Sequence, residues 1–294
     1  MNVSGFAARL AYSRLTKPLI WLTGNRFMQE FLDGAHHMCQ HLMGIGSGAS
    51  CDSSGEAVTF NVLNEVRRAP FVVFDVGAHL GEYIRLAQAH LKPDGLMIHA
   101  FEPATDCFHH LNEAFGTDPK VRINNVALGS ECRVGTLYSD GPFSGLACLT
   151  KRMPTHDGRR FSRAEPVRII TLNNYCRENG IDQIDLLKID VEGHELDVME
   201  GGKDLFQRGK IAIITFEFGS AHIDTRVFFR DIFSFLRQHG MDVFRITRSG
   251  YLYNIHEYHE RHEQFWTTNF LCIRQDISPL SRRTGRIGQV RFFL

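Results

Sequence analysis

The run 185–195, Asp-Leu-Leu-Lys-Ile-Asp-Val-Glu-Gly-His-Glu, gathers the densest ionisable chemistry in this chain: Asp190, Glu192, His194 and Glu195 all fall within its last six residues. The apolar Leu186, Leu187 and Ile189 mark a buried strand, so the polar residues sit where that strand gives way to a helix. In a strand, Lys188 and Asp190 point to the same side and can pair. Asp190 is placed to face a reacting group, with Lys188 and Glu192 beside it. A histidine at a helix start has its imidazolium disfavoured by the dipole, which suits His194 to the work of a neutral general base. Glu195 reads as an ordinary first-turn carboxylate. For Lys188 a structural pair and a catalytic role both stand.

A second constellation lies upstream. Phe74-Asp75-Val76-Gly77-Ala78-His79-Leu80-Gly81 reads as a strand end, a glycine turn and a helix start. Gly77 allows the tight turn and the approach of a ligand to the Ala78 backbone, and Gly81 allows close helix packing. The spacing differs from the GxGxxG of dinucleotide enzymes. The carboxylate of Asp75 would repel a pyrophosphate, whereas the sulfonium and amino group of S-adenosylmethionine are cationic. Glu102, in Phe101-Glu102-Pro103, follows Gly77 by 25 residues, a place from which a carboxylate can accept both ribose hydroxyls. Asn125 is a candidate partner for the adenine edge.

These residues need elements to hold them. Short apolar runs at 71–76, 96–101, 121–126, 184–189, 211–218, 241–248 and 267–274 predict strands. Helices are expected over 81–90, 105–115, 172–179, 194–208 and 226–239, with a helix at 55–68 that Ser54 could cap. The stretch 131–167 is less regular, with hairpin strands and a long loop at 139–166. Such alternation makes an α/β fold with a mostly parallel sheet, whose ligands sit at the C-terminal strand ends. Three regions are expected: 1–69, an N-terminal helical extension ending in a Gly/Ser-rich loop; 70–275, the α/β domain; and 276–294, a basic tail. Residues 1–43 read as helical. Residues 1–24 carry Arg9, Arg14 and Lys17 and no acidic residue, a pattern that a transit peptide or an interfacial helix can also show. The apolar run 18–22, too short for a secretory core, nevertheless reads as a packed helix. There is no internal repeat.

Composition narrows the partners. Lys plus Arg and Asp plus Glu number 33 each, so no net field draws the chain toward nucleic acid or a membrane, and a small molecule or neutral polymer is the default partner. No stretch reaches the roughly 20 apolar residues of an integral membrane segment. Seven scattered cysteines without a CxxC pair point to a reducing, cytoplasmic setting. The oligomeric state stays open, a homo-oligomer included.

Together these motifs resemble the FkbM family of S-adenosylmethionine-dependent methyltransferases. The matching pieces are FDVGAHLGEY at 74–83, FEP at 101–103, NVALG at 125–129, LLKIDVEGHELDVMEGG at 186–202 and ITFEF at 214–218. The resemblance implies a Rossmann-like class I methyltransferase fold with seven strands, the last antiparallel. It also implies O-methylation, often of a sugar (glycan) or secondary-metabolite hydroxyl. By motif, Asp75, Gly77, Gly81 and Glu102 would bind the cofactor and Asp190 would face the acceptor. His79 stands where many members have Asn, and residues 42–56 look like a segment that covers the cofactor in some members.

Rival readings are an NAD-dependent oxidoreductase on a similar sheet, disfavoured by Asp75 and the glycine spacing, and a non-catalytic cofactor-binding module. Asp190, Glu192 and Glu217 carry the oxygen ligands that a divalent cation such as magnesium takes, should they converge. His256, His259 and His262 lack the four-residue spacing of a helical zinc site and read as surface residues. The loop at 139–166, with Lys151, Arg152, Arg159, Arg160 and Arg163, reads equally as a lid over an anionic acceptor and as a solvated basic loop.

Overall fold

The computed structural model of the protein describes residues 16–47, 54–92, 94–154 and 158–278. The chain divides into two compact units, Met1–Met43 and Gly44–Leu294. The boundary read at residue 69 therefore falls inside the second unit. The tail beyond residue 278 and the segment before residue 16 lie outside the described residues.

The first unit holds α1, Lys17–Leu22, and α2, Arg26–Leu42. Asn25 starts α2: its side-chain oxygen accepts from the Met28 amide at 3.0 Å, satisfying one of the donors a helix leaves free. The run 18–22 is helical but not packed as expected, since Ile20, Trp21 and Leu22 are exposed, Trp21 at 88%.

In the second unit α3, Val58–Val66, is shorter than anticipated. Ser54 does not cap it; its hydroxyl donates to Glu56 at 2.7 Å instead. The elements then alternate: β1 Phe71–Val76, α4 Glu82–His90, β2 Leu96–Phe101, α5 Thr105–Phe115 and β3 Val121–Asn124. Next come β4 Ala127–Leu128, β5 Arg133–Ser139, β6 Arg163–Ile170 and α6 Leu172–Glu178. The chain continues through β7 Ile184–Ile189, α7 Glu195–Gly201, α8 Lys203–Gln207, β8 Ile211–Phe218 and α9 Ala221–Thr225. It closes with α10 Phe229–Gln238, β9 Met241–Ile246, β10 Leu252–Ile255 and β11 Thr268–Arg274.

The main sheet runs β10-β9-β11-β8-β7-β1-β2-β3. Seven of these strands form the expected Rossmann-like class I methyltransferase arrangement: β1, β2, β3, β7 and β8 pair in parallel, and β11 enters antiparallel between β8 and β9. The eighth, β10, is a half-exposed edge strand paired with β9, too short for its pattern to stand out. The irregular stretch folds into a separate three-stranded sheet, β4-β6-β5. The helix expected at 194–208 breaks at Gly202, which caps both α7 and α8, glycine being poor in a helix interior. The one expected at 226–239 begins only at Phe229, because Arg226 takes a left-handed conformation.

Helices cover both faces of the sheet. Phe74, Phe101, Ile189 and Phe216 pack with Tyr175, Val198 and Phe229 on one side; Val73, Ile98, Leu186 and Ile213 pack with Phe60, Ile84 and Leu111 on the other. Every residue of β7 is buried, as a central parallel strand requires. Among the described residues no helix is long and apolar enough to cross a membrane.

Candidate active site

A cavity of about 570 Å³ opens at the C-terminal ends of β1, β2, β7 and β8, with Gly77, His79, Glu102, Asp190, Glu192 and Glu217 in its wall. Its place and size are those of a small-molecule site in an open α/β sheet.

The glycine turn makes one side. The Gly77 and Ala78 amides both donate to the Phe101 carbonyl at 3.0 Å, tying β1 to the end of β2. Gly77 has φ +81°, and a Cβ there would meet the Asp190 carbonyl oxygen at 1.8 Å. Gly81 starts α4 at φ +79°, where a Cβ would lie 2.4 Å from the Phe115 ring. Ala78 and Gly81 thus shape the turn from behind, and only Gly77 of the three reaches the cavity wall.

Glu102 is preset as an acceptor. The His79 amide donates to its Oε2 and the Ala104 amide to its Oε1, each at 2.8 Å. Each oxygen keeps a further acceptor site. Burial pushes the carboxyl above its ordinary range, while the Ala104 and His79 amides pull it back. Asn125 has a different place from the one expected: its amide donates to the Glu102 and Pro103 carbonyls at 3.0 and 3.1 Å. It pins the Glu102 turn and is not in the cavity wall.

Asp75 also departs from expectation. It is fully buried and pairs with Lys188 Nζ at 3.1 Å, so it acts from beneath the cavity rather than in its wall. Burial raises its carboxyl, and Lys188 opposes the rise. The anticipated Lys188–Asp190 pair is present at 3.4 Å, and the same ammonium donates to the Gly77 carbonyl at 2.9 Å. Lys188 therefore joins β1 to β7 under the floor, leaving the Asp190 side chain partly open to the cavity.

Beyond Asp190, one ligand oxygen from each of Asp190, Glu192 and Glu217 lies within 4.8 Å of the others. Burial and then Asp190 lift Glu192 to about 8, although Arg152 donates to it at 3.0 Å. Burial, followed by Asp190 and Glu192, raises Glu217 well above the usual carboxylate range. These like charges crowd one another, which favours the protonated forms of Glu192 and Glu217.

His194 does not fit the role of neutral base. Its Nδ1 lies 2.6 Å from Asp197 and its Nε2 3.0 Å from the Thr150 hydroxyl, and it is absent from the cavity wall. Burial disfavours its charge, but Asp197 and Cys148 outweigh that and lift it to about 9. The acid at the fourth residue of the turn overrides the helix dipole. Glu195 is structural, as read: it accepts from the Val191 and Gly193 amides and pairs with buried His222 at 2.9 Å.

The stretch between β5 and β6 does reach over the cavity, through Ser144, Leu146 and Leu149. His79 Nε2 lies 3.0 Å from the Phe143 carbonyl oxygen, joining the glycine turn to it. Two of the five basic residues named for it are committed. Arg152 is buried between Glu192, Asp224 and Ser220 and stacks on Phe161, and Arg163 pairs with Asp106. Arg159 does line the cavity. His256 and His259 are exposed. Glu56, at the end of the 42–56 segment, is in the wall, as is Thr267, which no local spacing marks; Arg152, expected only as part of a lid, meets Glu192 from 40 residues away.

The sequence profile described as the methyltransferase FkbM domain matches residues 75–243. Over 157 residues the chain is 32% identical to 31-O-demethyl-FK506 methyltransferase FkbM of Streptomyces tacrolimicus, a match covering 45% of this chain and 60% of that protein. It is 26% identical to 2-O-methyltransferase NoeI of Sinorhizobium fredii, covering 56% and 71%. It is 24% identical to hexuronic acid methyltransferase AglP of Haloferax volcanii, covering 57% and 65%. The chain thus spans less than two thirds of the first of these relatives. The profile covers more than half of the chain, including the glycine turn, Glu102 and the 185–195 run: the protein belongs to the FkbM methyltransferase domain family.

Proposed function

We propose that this protein is an S-adenosylmethionine-dependent O-methyltransferase that methylates a hydroxyl of a sugar or secondary metabolite in the cytoplasm. The observation that carries the reading is one cavity holding both a preset acceptor carboxylate, Glu102, and the partly open Asp190 beside the Gly77 turn. Glu102 would accept the ribose hydroxyls, and the Gly77 backbone would let the methionine portion approach. The family relatives named for 31-O-demethyl-FK506, 2-O- and hexuronic acid methylation support the acceptor class.

S-Adenosylmethionine would supply an electrophilic methyl group. Orienting the acceptor oxygen about 3 Å away and in line is the main task left to the protein. Asp190, held by Lys188 at 3.4 Å, would take the hydroxyl proton. Glu192 and Glu217, raised in pKa, would donate hydrogen bonds to the acceptor. Arg152 would offset part of the charge of the carboxylate cluster. Leu146 and Leu149 would help exclude water.

Calorimetric titration with S-adenosylmethionine, with NAD as the control, tests the cofactor. Saturable binding of the first alone is expected, and preference for NAD would return the chain to the oxidoreductase reading. Asp190→Asn should lower turnover at least 100-fold with cofactor affinity nearly unchanged; an undiminished rate would remove Asp190 from the mechanism.

A further inference from the structure

Helix α2 turns its apolar side outward. Phe27, Phe31, Met38 and Leu42 recur at helical spacing and are all exposed, Phe27 at 73%. With Met28, Leu32, Ala35 and Cys39 they fill an arc of about 140° at 100° per residue. The opposite side carries Arg26, Glu30, Asp33, His37 and His41, with Arg26 and Glu30 paired at 2.6 Å. Ile20, Trp21 and Leu22 of the preceding helix are exposed as well. An apolar stripe of large exposed side chains along a whole helix marks an interaction face.

Charge chooses the occupant. Residues 1–29 contain Arg9, Arg14, Lys17 and Arg26 and no acidic residue. Met1–Met43 holds four basic and two acidic residues, leaving 29 basic and 31 acidic in Gly44–Leu294. The chain is neutral as a whole only because this segregation cancels. An anionic surface would attract the first unit and weakly repel the second. The shape of the stripe agrees: at 17 residues, α2 is shorter than the three or four heptads of a sustained zipper, and its apolar arc is wider than a two-position seam. A broad apolar face, with an exposed tryptophan and an excess of basic residues in the same unit, has the features of a helix lying in a bilayer interface.

We propose that the Met1–Met43 unit binds reversibly to the surface of an anionic lipid bilayer, with Trp21, Phe27, Phe31, Met38 and Leu42 in the headgroup–acyl boundary. Its described helices would lie on the membrane rather than cross it. It would hold the second unit at that surface, and the proposal stands apart from any assignment of the reaction.

The test is cosedimentation of the full chain with vesicles of phosphatidylcholine alone and of phosphatidylcholine with about one third phosphatidylglycerol. Binding to the anionic vesicles is expected, at least tenfold weaker on the neutral ones and weakened likewise by high salt. The double variant Phe31→Ser/Met38→Ser should bind at least tenfold more weakly. Its thermal midpoint should match that of the parent, because both side chains already face solvent. Failure to bind anionic vesicles, or binding indifferent to the double variant, overturns the proposal. A vesicle-free dimer that the double variant dissociates in sedimentation velocity would assign the face to a second copy and overturn it too.

Discussion

Gly77 stands so close to Asp190 that a single methyl group would not fit: a Cβ on Gly77 would lie 1.8 Å from the Asp190 carbonyl oxygen. The turn after β1 and the end of β7 are thereby packed backbone to backbone. Gly77→Ala must also hold φ +81° with a side chain that disfavours it. Overpacking and backbone strain together should cost about 3 kcal/mol or more, read as a fall in the urea midpoint. Cofactor binding should vanish with it.

Lys188→Met tests the floor of the cavity. It leaves Asp75 fully buried without its counter-ion, a change that costs about 3–5 kcal/mol. Adding Asp75→Asn removes the stranded charge, so the double variant should recover at least half of that loss in equilibrium unfolding. No recovery would mean that Lys188 acts mainly through the Gly77 carbonyl and Asp190.

Glu102→Ala removes the acceptor that the His79 and Ala104 amides hold in place. Hydrogen bonds to a charged group contribute about 1.5–3 kcal/mol, so S-adenosylmethionine should bind about 10- to 100-fold more weakly by calorimetry. Asn125→Ala should give a smaller loss, because Asn125 only steadies the turn.

Stability should fall as pH rises above neutrality. His194, lifted from 6.5 to about 9, keeps a proton in the folded state that the unfolded chain releases. Its contribution is complete below 6.5 and is lost as pH rises through about 9. Glu192, lifted from 4.5 to about 8, works in the same direction over its own range, because the fold favours the protonated acid. Thermal midpoints from pH 6.5 to 9 should decline, and Asp197→Asn should flatten the upper part of that decline.

Much of the frame was legible because the strands are buried on both faces. β1, β2, β7 and β8 begin and end where their apolar runs do, and the polar residues of the site follow those ends. What sequence could not show was the choice among partners. Asn125 has several carbonyls and a ligand to choose from, and only the folded turn directs its amide to Glu102 and Pro103. His194 was read from its helix position alone, but its state is set by Asp197 together with Thr150 and Cys148 from another segment. Arg152 reaches Glu192 across 40 residues, a distance over which spacing carries no signal.

The placement of β11 bears on how the protein is made. Strand β9 meets the rest of the main sheet only through β11, so a nascent chain emerging N-terminus first presents the β9–β10 hairpin before there is anywhere to dock it. Until residues 268–274 leave the ribosome, the sheet can have only the five strands β3-β2-β1-β7-β8, with the edge of β8 unpaired. Asn269 of the incoming strand then settles opposite Glu217, and Thr267 completes the cavity wall. The cavity wall is therefore incomplete until the chain has been made as far as β11, and a product truncated before that strand would carry an open strand edge prone to mispairing.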